Sequence, residues 1–497
     1  MTTNRIEIRR DTTANWTIAN PVLSSGELSL DSTTGLLRIG DGSTPWLELV
    51  DTVTRALSVP TSPAALQLSA TLDGKIIAER ATTAAAILPN RRSANTIALL
   101  GDSITAMTVA QNGVYTTKDA RGYWGWASMR LGQRIDLVAR AGTLNGGITG
   151  QTTAQILARV QSDVIDLAPG WCHVLAGTND MLQSVPVATT IANLTAIYNT
   201  LAAAGIRVVA GTIPPFAAAT TAQFRLTEAL NQFVRSQGLT RRGFVVADYH
   251  AVLAGPTGTW RIATVAYTAD GTHPSAGGAA RMGKVLADAL APRVPAVNRL
   301  PSSNMDDADS GAALPNLAPN PMFTGTTGTV GAGGSGVMPT SWTLNRSGGS
   351  GSLTGTVVSV VSRTDDKPGQ WLQIASTTIV DAIRVQAPSI AGVTAGDRIQ
   401  VMVEFETEGI TDLSTLRAIA IGSDSTAGYA TRVAAYDIDL NSADDREVFP
   451  NGMIPSSGVL QTPWVTYPAN SNILTVGVDF TGVGTLRLAR FAIRKAV

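Results

Sequence analysis

From Thr96 to Leu290 short apolar runs alternate with stretches of helical period, and few architectures accommodate that alternation. Ile97-Ala98-Leu99-Leu100, Ile135-Asp136-Leu137-Val138, His173-Val174-Leu175-Ala176, Arg207-Val208-Val209-Ala210 and Phe244-Val245-Val246-Ala247 have the length and composition of buried parallel strands. Trp124 to Leu131, Thr152 to Val160, Thr189 to Ala204, Phe224 to Gln237 and Ala276 to Leu290 fit helices between and after them. Strands interleaved with helices in this way predict a doubly wound sheet of the flavodoxin-like sort. Ligands in such sheets bind at the carboxyl ends of the strands.

The flanks read differently. Residues 1–52 form a small β module: Glu27 to Asp31 and Leu37 to Gly40 alternate polar and apolar residues around a Ser-Thr-Thr-Gly turn, a hairpin pattern. A module this small is marginal alone and is expected to dock on a partner chain or an assembly. Residues 53–92, rich in Ala, Thr and Ser, read as a connector with room for a short helix between Ala64 and Ile87. The doubly wound domain spans 93–298, and a polar linker follows at 299–315. Across 316–497 the helical period disappears. Val357 to Val361, Trp371 to Ile374, Ile399 to Phe405, Ile473 to Val478 and Leu486 to Ile493 read as strands of an all-β sandwich or jelly roll.

Charge narrows the partners. Apolar residues make up 44% of the 497, while charged residues reach only 15% and the formal net charge is zero. Nucleic acid and anionic membrane surfaces therefore have little electrostatic support, and a neutral or weakly charged substrate fits better. A single cysteine, Cys172, excludes an intrachain disulfide framework. No apolar run is long enough for membrane insertion, and Met1 to Arg10 lacks the apolar segment of a Sec signal. The expectation is a cytoplasmic protein or one released without a signal, for instance by lysis.

Four segments carry chemistry. Gly101-Asp102-Ser103 follows a strand directly, which would expose the Ser103 hydroxyl at a strand-to-helix turn. Serine needs a base, and only His173, His250 and His273 can supply one. His173 lies inside a core strand beside Cys172; strand neighbours point to opposite faces, so it reads as structural. His250, with Asp248 two positions earlier, is a conceivable base. In Asp270-Gly271-Thr272-His273 the spacing lets the carboxylate take one ring nitrogen while the other faces a serine. Acyl transfer also needs donors for an oxyanion. Asn179, in Gly177-Thr178-Asn179-Asp180, offers an amide, and Gly150, in Gly147-Ile148-Thr149-Gly150, a backbone N–H. No cluster has metal-ligand spacing, and no cofactor is expected.

In order and content these segments resemble the consensus blocks of the SGNH, or GDSL-type, hydrolases over about residues 93–298; one departure is Ile104, where the first block usually has leucine. The resemblance implies an α/β/α sandwich and a metal-free acyl-enzyme mechanism. Ser103 would be the nucleophile, His273 the base, Asp270 its orienting carboxylate, and Ser103, Gly150 and Asn179 the oxyanion hole. Arg10-Asp11, Asn15-Trp16, Asn20-Pro21-Val22-Leu23, Gly26-Glu27, Ile39-Gly40-Asp41-Gly42 and Trp46 resemble a repeat near the N-terminus of bacteriophage tail fibres and tailspikes. Asn316-Leu317-Ala318-Pro319-Asn320-Pro321 is similar to the opening of sandwich modules at tail-fibre C-termini. Together these imply a virion esterase, homotrimeric among other tail proteins, that removes O-acetyl groups from a capsule, O-antigen or exopolysaccharide at the host cell surface. Trp342, Trp371 and Trp464, with Tyr429 and Tyr436, are candidates for stacking on sugar rings. The alternatives are a lipid esterase or thioesterase of the same superfamily, and a receptor-binding adhesin without activity.

Overall fold

The computed structural model describes residues 8–49, 95–107, 110–112, 115–117, 121–141, 143, 145–255, 267–268, 270–307, 314–346, 352–378, 380, 383–388, 390, 392–423, 430–434, 457–462, 464–467 and 473–496. They fall into two compact units, divided after Arg91, each described by itself. The expected connector at 53–92, its short helix, and Tyr429 and Tyr436 lie outside the described residues.

In the N-terminal unit strand β1 (Arg9–Asp11) runs parallel to β2 (Leu28–Asp31), which pairs antiparallel with β3 (Leu37–Ile39) in the hairpin expected from alternation. A helix, α1 (Thr13–Ala19), was not expected. Thr12 caps it by accepting from the Asn15 N–H, and Asn20 ends it in the left-handed region at φ 32°. The buried cluster is Trp16, Leu23, Trp46 and Leu49. The two indoles stack at 5.2 Å between centroids, and Arg38 lies 3.9 Å over Trp46. Their N–H groups donate to the Leu30 carbonyl and the Ser29 hydroxyl. Two aromatic rings with satisfied polar ends thus hold a unit too short for an ordinary core.

The second unit begins with β4 (Thr96–Gly101), followed by a hairpin of β5 (Ala110–Asn112) and β6 (Tyr115–Thr117). Next come β7 (Asp136–Leu137), β8 (Gly146–Gly147), β9 (Trp171–Leu175), β10 (Arg207–Gly211) and β11 (Phe244–Ala247). The strands form a parallel sheet in the order β11-β10-β9-β4-β7, with β8 also on β4. The strand expected at 135–138 is reduced to β7, which pairs with the start of β4, and a further short strand not expected, β8, pairs with its end. Only glycine fits at that second contact. A Cβ on Gly146 would stand 2.3 Å from the Leu99 oxygen, and one on Gly147 2.2 Å from the Ala106 nitrogen.

Helices cover both faces. On one side α3 (Tyr123–Arg130), α9 (Tyr249–Leu253) and α10 (Ala276–Leu290) pack against Ile97, Leu99, Trp171 and Leu175. On the other, Ala98, Leu100, Cys172 and Val174 meet α4 (Thr153–Leu157), α5 (Val160–Asp163), α7 (Val187–Ala203) and α8 (Thr221–Thr240). Alternate residues of one strand thus serve opposite layers. The single helix expected at 152–160 is broken at Ala158 and Arg159 into α4 and α5. Two short helices, α2 (Ser103–Ala106) and α6 (Thr178–Leu182), start at the ends of β4 and β9. Those strands are neighbours where the chain order reverses, the crevice in which doubly wound sheets bind ligands.

Residues 299–307 are bound on both sides: Arg299 makes two 2.8 Å contacts to Asp136, and Asp306 pairs with Arg494 at 2.7 Å. The C-terminal strands are β12 (Thr329–Val330), β13 (Ser335–Gly336), β14 (Thr343–Arg346), β15 (Thr356–Ser362), β16 (Gln370–Ser376) and β17 (Ile383–Gln386). After them come β18 (Arg398–Ser423), β19 (Ala430–Ala434), β20 (Ser457–Gln461), β21 (Val465–Thr466) and β22 (Ile473–Ala496). The two separate strands expected at 473–478 and 486–493 are one continuous strand. The pairing links the C-terminal strands into one continuous sheet, β12-β14-β17-β22-β16-β15-β13, with β18 along β22. Register shifts at Met402/Glu404, Glu408/Thr411 and Thr411/Thr415 bend the long pair. The edge strands β12 and β13 are separated only by residues 331–334, so the sheet is nearly closed.

Burial removes two of the sugar-stacking candidates. Trp342 is fully buried against Phe323 and Phe491, its indole N–H donating to the Asn320 carbonyl. Trp371 is 6% exposed with the Arg363 guanidinium 3.9 Å over its ring. Neither has a free face, because both rings close the core under the strand wall. Trp464 is half-buried, with Arg398 5.9 Å from its ring. The asparagines of the 316–321 opening pin the chain: Asn316 accepts from Ile493 and donates to the Phe491 carbonyl, and Asn320 bonds Thr324 and Thr340.

Candidate active site

Ser103 opens α2 immediately after β4, and Asp102 caps that turn through a 3.0 Å bond from the Ile104 N–H. Asp102 is fully buried; its second carboxylate oxygen makes no hydrogen bond of good geometry among the described residues, although the Thr178 hydroxyl lies near enough to pull its carboxyl down. Burial pushes its carboxyl up to about 6, against the opposing pull of the Ile104 N–H and the His273 ring.

The loop before α10 brings His273 onto Ser103. Asp270 Oδ1 accepts the N–H groups of Thr272 and His273 at 2.9 and 2.8 Å, building the turn. Its Oδ2 takes His273 Nδ1 at 2.6 Å, and His273 Nε2 lies 2.8 Å from Ser103 Oγ. One carboxylate therefore shapes the loop and orients the ring. Since it can only accept, Nδ1 carries the proton and Nε2 is left to receive one from the serine. Partial burial raises the Asp270 carboxyl, but the His273 N–H, the His273 ring and the Thr272 N–H outweigh it and hold it below its ordinary value. Thr268 braces the loop by donating to the His273 carbonyl and accepting from the Gly271 N–H.

Gly150 lies in an exposed turn at φ +78°, a conformation that favours glycine, with open space where a Cβ would be. Among the described residues neither its N–H nor that of Ser103 meets a protein acceptor. Asn179 follows β9 in α6; its amide nitrogen donates to the Gln151 carbonyl at 3.0 Å and keeps a second hydrogen. These donors and the Asp270–His273–Ser103 line lie on loops at the carboxyl end of the sheet.

The other histidines are elsewhere engaged. His250 Nδ1 lies 3.0 Å from the Ile213 carbonyl, and Asp248 is held by Arg235 at 2.8 Å, so this pair serves the end of β11. His173 is buried between the hydroxyls of Tyr123 at 3.1 Å and Tyr249 at 2.8 Å, and desolvation pushes it down to about 3. Tyr123 in turn bonds the Thr105 hydroxyl of α2 at 3.0 Å. Sequence reasoning missed Asp180. It is buried and accepts from the Thr153 N–H and hydroxyl at 2.7 and 2.5 Å, fixing the turn that carries Asn179 to the start of α4. Its signal was visible: a carboxylate directly after Asn179, just past the apolar run of β9.

Residues 99–281 match the GDSL-like Lipase/Acylhydrolase family. The chain carries a GDSL-type hydrolase domain. Residues 6–44 match the Major tropism determinant N-terminal domain. Among solved structures, a GDSL-like lipase from Bacteroides thetaiotaomicron is similar at 22% identity and a TM-score of 0.31, over 43% of this chain and 95% of that one. A carbohydrate esterase family 3 protein from Talaromyces cellulolyticus is similar at 19% identity and a TM-score of 0.30, over 39% and 95%. An acetyl-xylooligosaccharide esterase from a Geobacillus is similar at 20% and 0.30, over 40% and 95%. No curated protein matches the chain.

Proposed function

We propose that the protein removes O-acetyl or similarly short acyl groups from a bacterial surface polysaccharide, through an acyl-enzyme on Ser103, while carried on a bacteriophage tail. The observation that carries the chemistry is the unbroken line from Asp270 Oδ2 through His273 to Ser103 Oγ, at 2.6 and 2.8 Å. His273 Nε2 takes the serine proton as Oγ bonds to the acyl carbon. The carbonyl oxygen becomes an oxyanion facing the N–H groups of Ser103 and Gly150 and the Asn179 amide. When the C–O bond to the sugar breaks, His273 returns the proton to the departing hydroxyl. A water then gives its proton to His273, its oxygen attacks the acyl carbon, acetate leaves, and Ser103 is reprotonated.

The low charge of the chain, 15% charged residues and zero formal net charge, supports a neutral or weakly charged substrate such as an acetylated sugar. The N-terminal match to a tropism determinant supports a place on a phage tail, where a homotrimer and other tail proteins would be the partners and capsule, O-antigen or exopolysaccharide the target.

The test is acetate release from isolated host polysaccharides, followed as loss of acetyl signals in proton NMR. Wild type should release acetate and prefer para-nitrophenyl acetate over long-chain esters, while Ser103→Ala loses at least about 10⁴-fold in rate. Unchanged release by Ser103→Ala, or a strong preference for long chains, would sink the reading.

A further inference from the structure

We propose that Arg159 is the positioning residue that sets all three oxyanion elements from one point; the inference rests on the esterase reading above. Arg159 sits at the break between α4 and α5 with its side chain only 10% exposed. Its Nε donates to Gln151 Oε1 at 2.6 Å. Its Nη1 donates to the Gly146 carbonyl at 2.7 Å and to Asp163 Oδ2 at 2.8 Å, and its Nη2 to the Gly101 carbonyl at 2.7 Å. Asp163 also receives Arg140 on its other oxygen at 3.3 Å.

Each contact reaches a different part of the oxyanion hole. Gly101 is the last residue of β4, two before the nucleophile, and its carbonyl also accepts the Ile148 N–H at 3.1 Å. Gly146 and Gln151 bracket the turn that contains Gly150. That turn is exposed and nothing packs where a Gly150 side chain would stand, so its N–H is aimed by whatever holds its two ends. Gln151 in turn offers its carbonyl to the Asn179 amide at 3.0 Å. The Ser103, Gly150 and Asn179 donors are thus referenced to one planar guanidinium. A fork of fixed geometry can span carbonyls on two strands and a side chain on a third segment; a single ammonium cannot.

Steady-state hydrolysis of para-nitrophenyl acetate by the full chain tests this. Arg159→Ala should lower kcat about 10- to 100-fold, as a displacement of roughly 1 Å does, with KM within about threefold. Guanidinium chloride at millimolar concentration should restore much of the lost kcat in Arg159→Ala and leave wild type unchanged. Arg159→Lys keeps the stem and the charge and so protects folding, yet it should also lose kcat while its melting temperature stays near that of wild type. A folded Arg159→Lys with wild-type kcat, or an effect confined to KM, overturns the proposal. So does a loss in both variants that tracks melting temperature and resists guanidinium. A wild-type chain that neither hydrolyses the ester nor takes a phosphonate on Ser103 overturns the esterase reading instead.

Discussion

Two buried carboxylates, one at the catalytic end of the central sheet and one in the C-terminal strand wall, sit in comparable burial and are driven in opposite directions. Asp102 has one oxygen on the Ile104 N–H and one in no well-formed hydrogen bond beside the Thr178 hydroxyl, and burial pushes its carboxyl up to about 6. Glu404, 4% exposed, has both oxygens saturated: Arg363 and Lys367 on one, Arg363 and Arg490 on the other, at 2.7–3.2 Å. Desolvation raises its carboxyl, but the Arg490, Arg363 and Lys367 bonds outweigh it and hold it down to about 2. Asp479 is likewise buried against two guanidiniums, those of Arg384 and Arg417. The strand wall buries charge with its partners supplied. Beside Ser103, Asp102 is buried with only one of its oxygens in a well-formed hydrogen bond. It is less fully bonded than either strand-wall carboxylate, whereas Asp180 and Asp163, which brace the neighbouring turns, are saturated like Glu404.

The comparison is broken most directly at Glu404. Glu404→Ala should destabilise the chain by about 3–5 kcal/mol, because it strands two nearly buried guanidiniums. Chemical denaturation measures that loss, and kcat on para-nitrophenyl acetate should be unchanged for the folded protein; a drop in kcat would mean that the strand wall is not mere scaffold. Asn179→Ala tests the other side. It should cost about 10²–10³ in kcat, the worth of one oxyanion donor, while the midpoint of unfolding shifts by no more than the single bond to Gln151 explains, about 1 kcal/mol. Stability falling with kcat intact would reverse the assignment.

How much of this was legible in the sequence follows the same division. The buried strands of the central sheet were visible as apolar runs, and helix α10 runs from Ala276 to Leu290 as read, because strong periodicity and a Ser275 cap leave little choice. The Asp270 to His273 turn was legible because its geometry is local: an Asx turn orients the ring within four residues. What escaped was non-local. The extra strand β8 depends on how closely Gly146 approaches Leu99, and the break at Arg159 depends on carbonyls from Gly101 and Gly146, which no window around 152–160 contains. Helix α1 escaped because it is held by tertiary stacking of Trp16 on Trp46 rather than by length. In the C-terminal region period-2 alternation located strands but not their continuity, since bulges let one strand turn a corner. The same alternation could not tell a tryptophan facing solvent from Trp342 or Trp371 facing the core.

The smallest predicted effect is hidden by a cancellation. Asp102 is raised from 3.8 to about 6, so between pH 4 and 6 the unfolded chain ionises there while the folded chain does not. Its contribution to stability is therefore full below pH 4 and is lost on the way up to pH 6, at about 1.4 kcal/mol per pH unit. His173 is lowered from 6.5 to about 3, so in the same window the unfolded chain holds a proton that the folded chain lacks. Its contribution is full above pH 6.5 and is lost as pH falls toward 3, with the opposite sign and the same slope of about 1.4 kcal/mol per unit. As far as these two groups go, the wild-type curve should be nearly flat between pH 4 and 6. Asp102→Asn keeps an acceptor for the Ile104 N–H, places an amide beside the Thr178 hydroxyl, and removes one of the two slopes. Its unfolding free energy, measured in urea across this window, should climb with pH by about 1.4 kcal/mol per unit relative to wild type. His173→Gln should tilt the curve the other way. Parallel curves for wild type and Asp102→Asn would mean that Asp102 is ionised in the folded chain throughout, and that the Ile104 N–H and the Thr178 hydroxyl outweigh its burial.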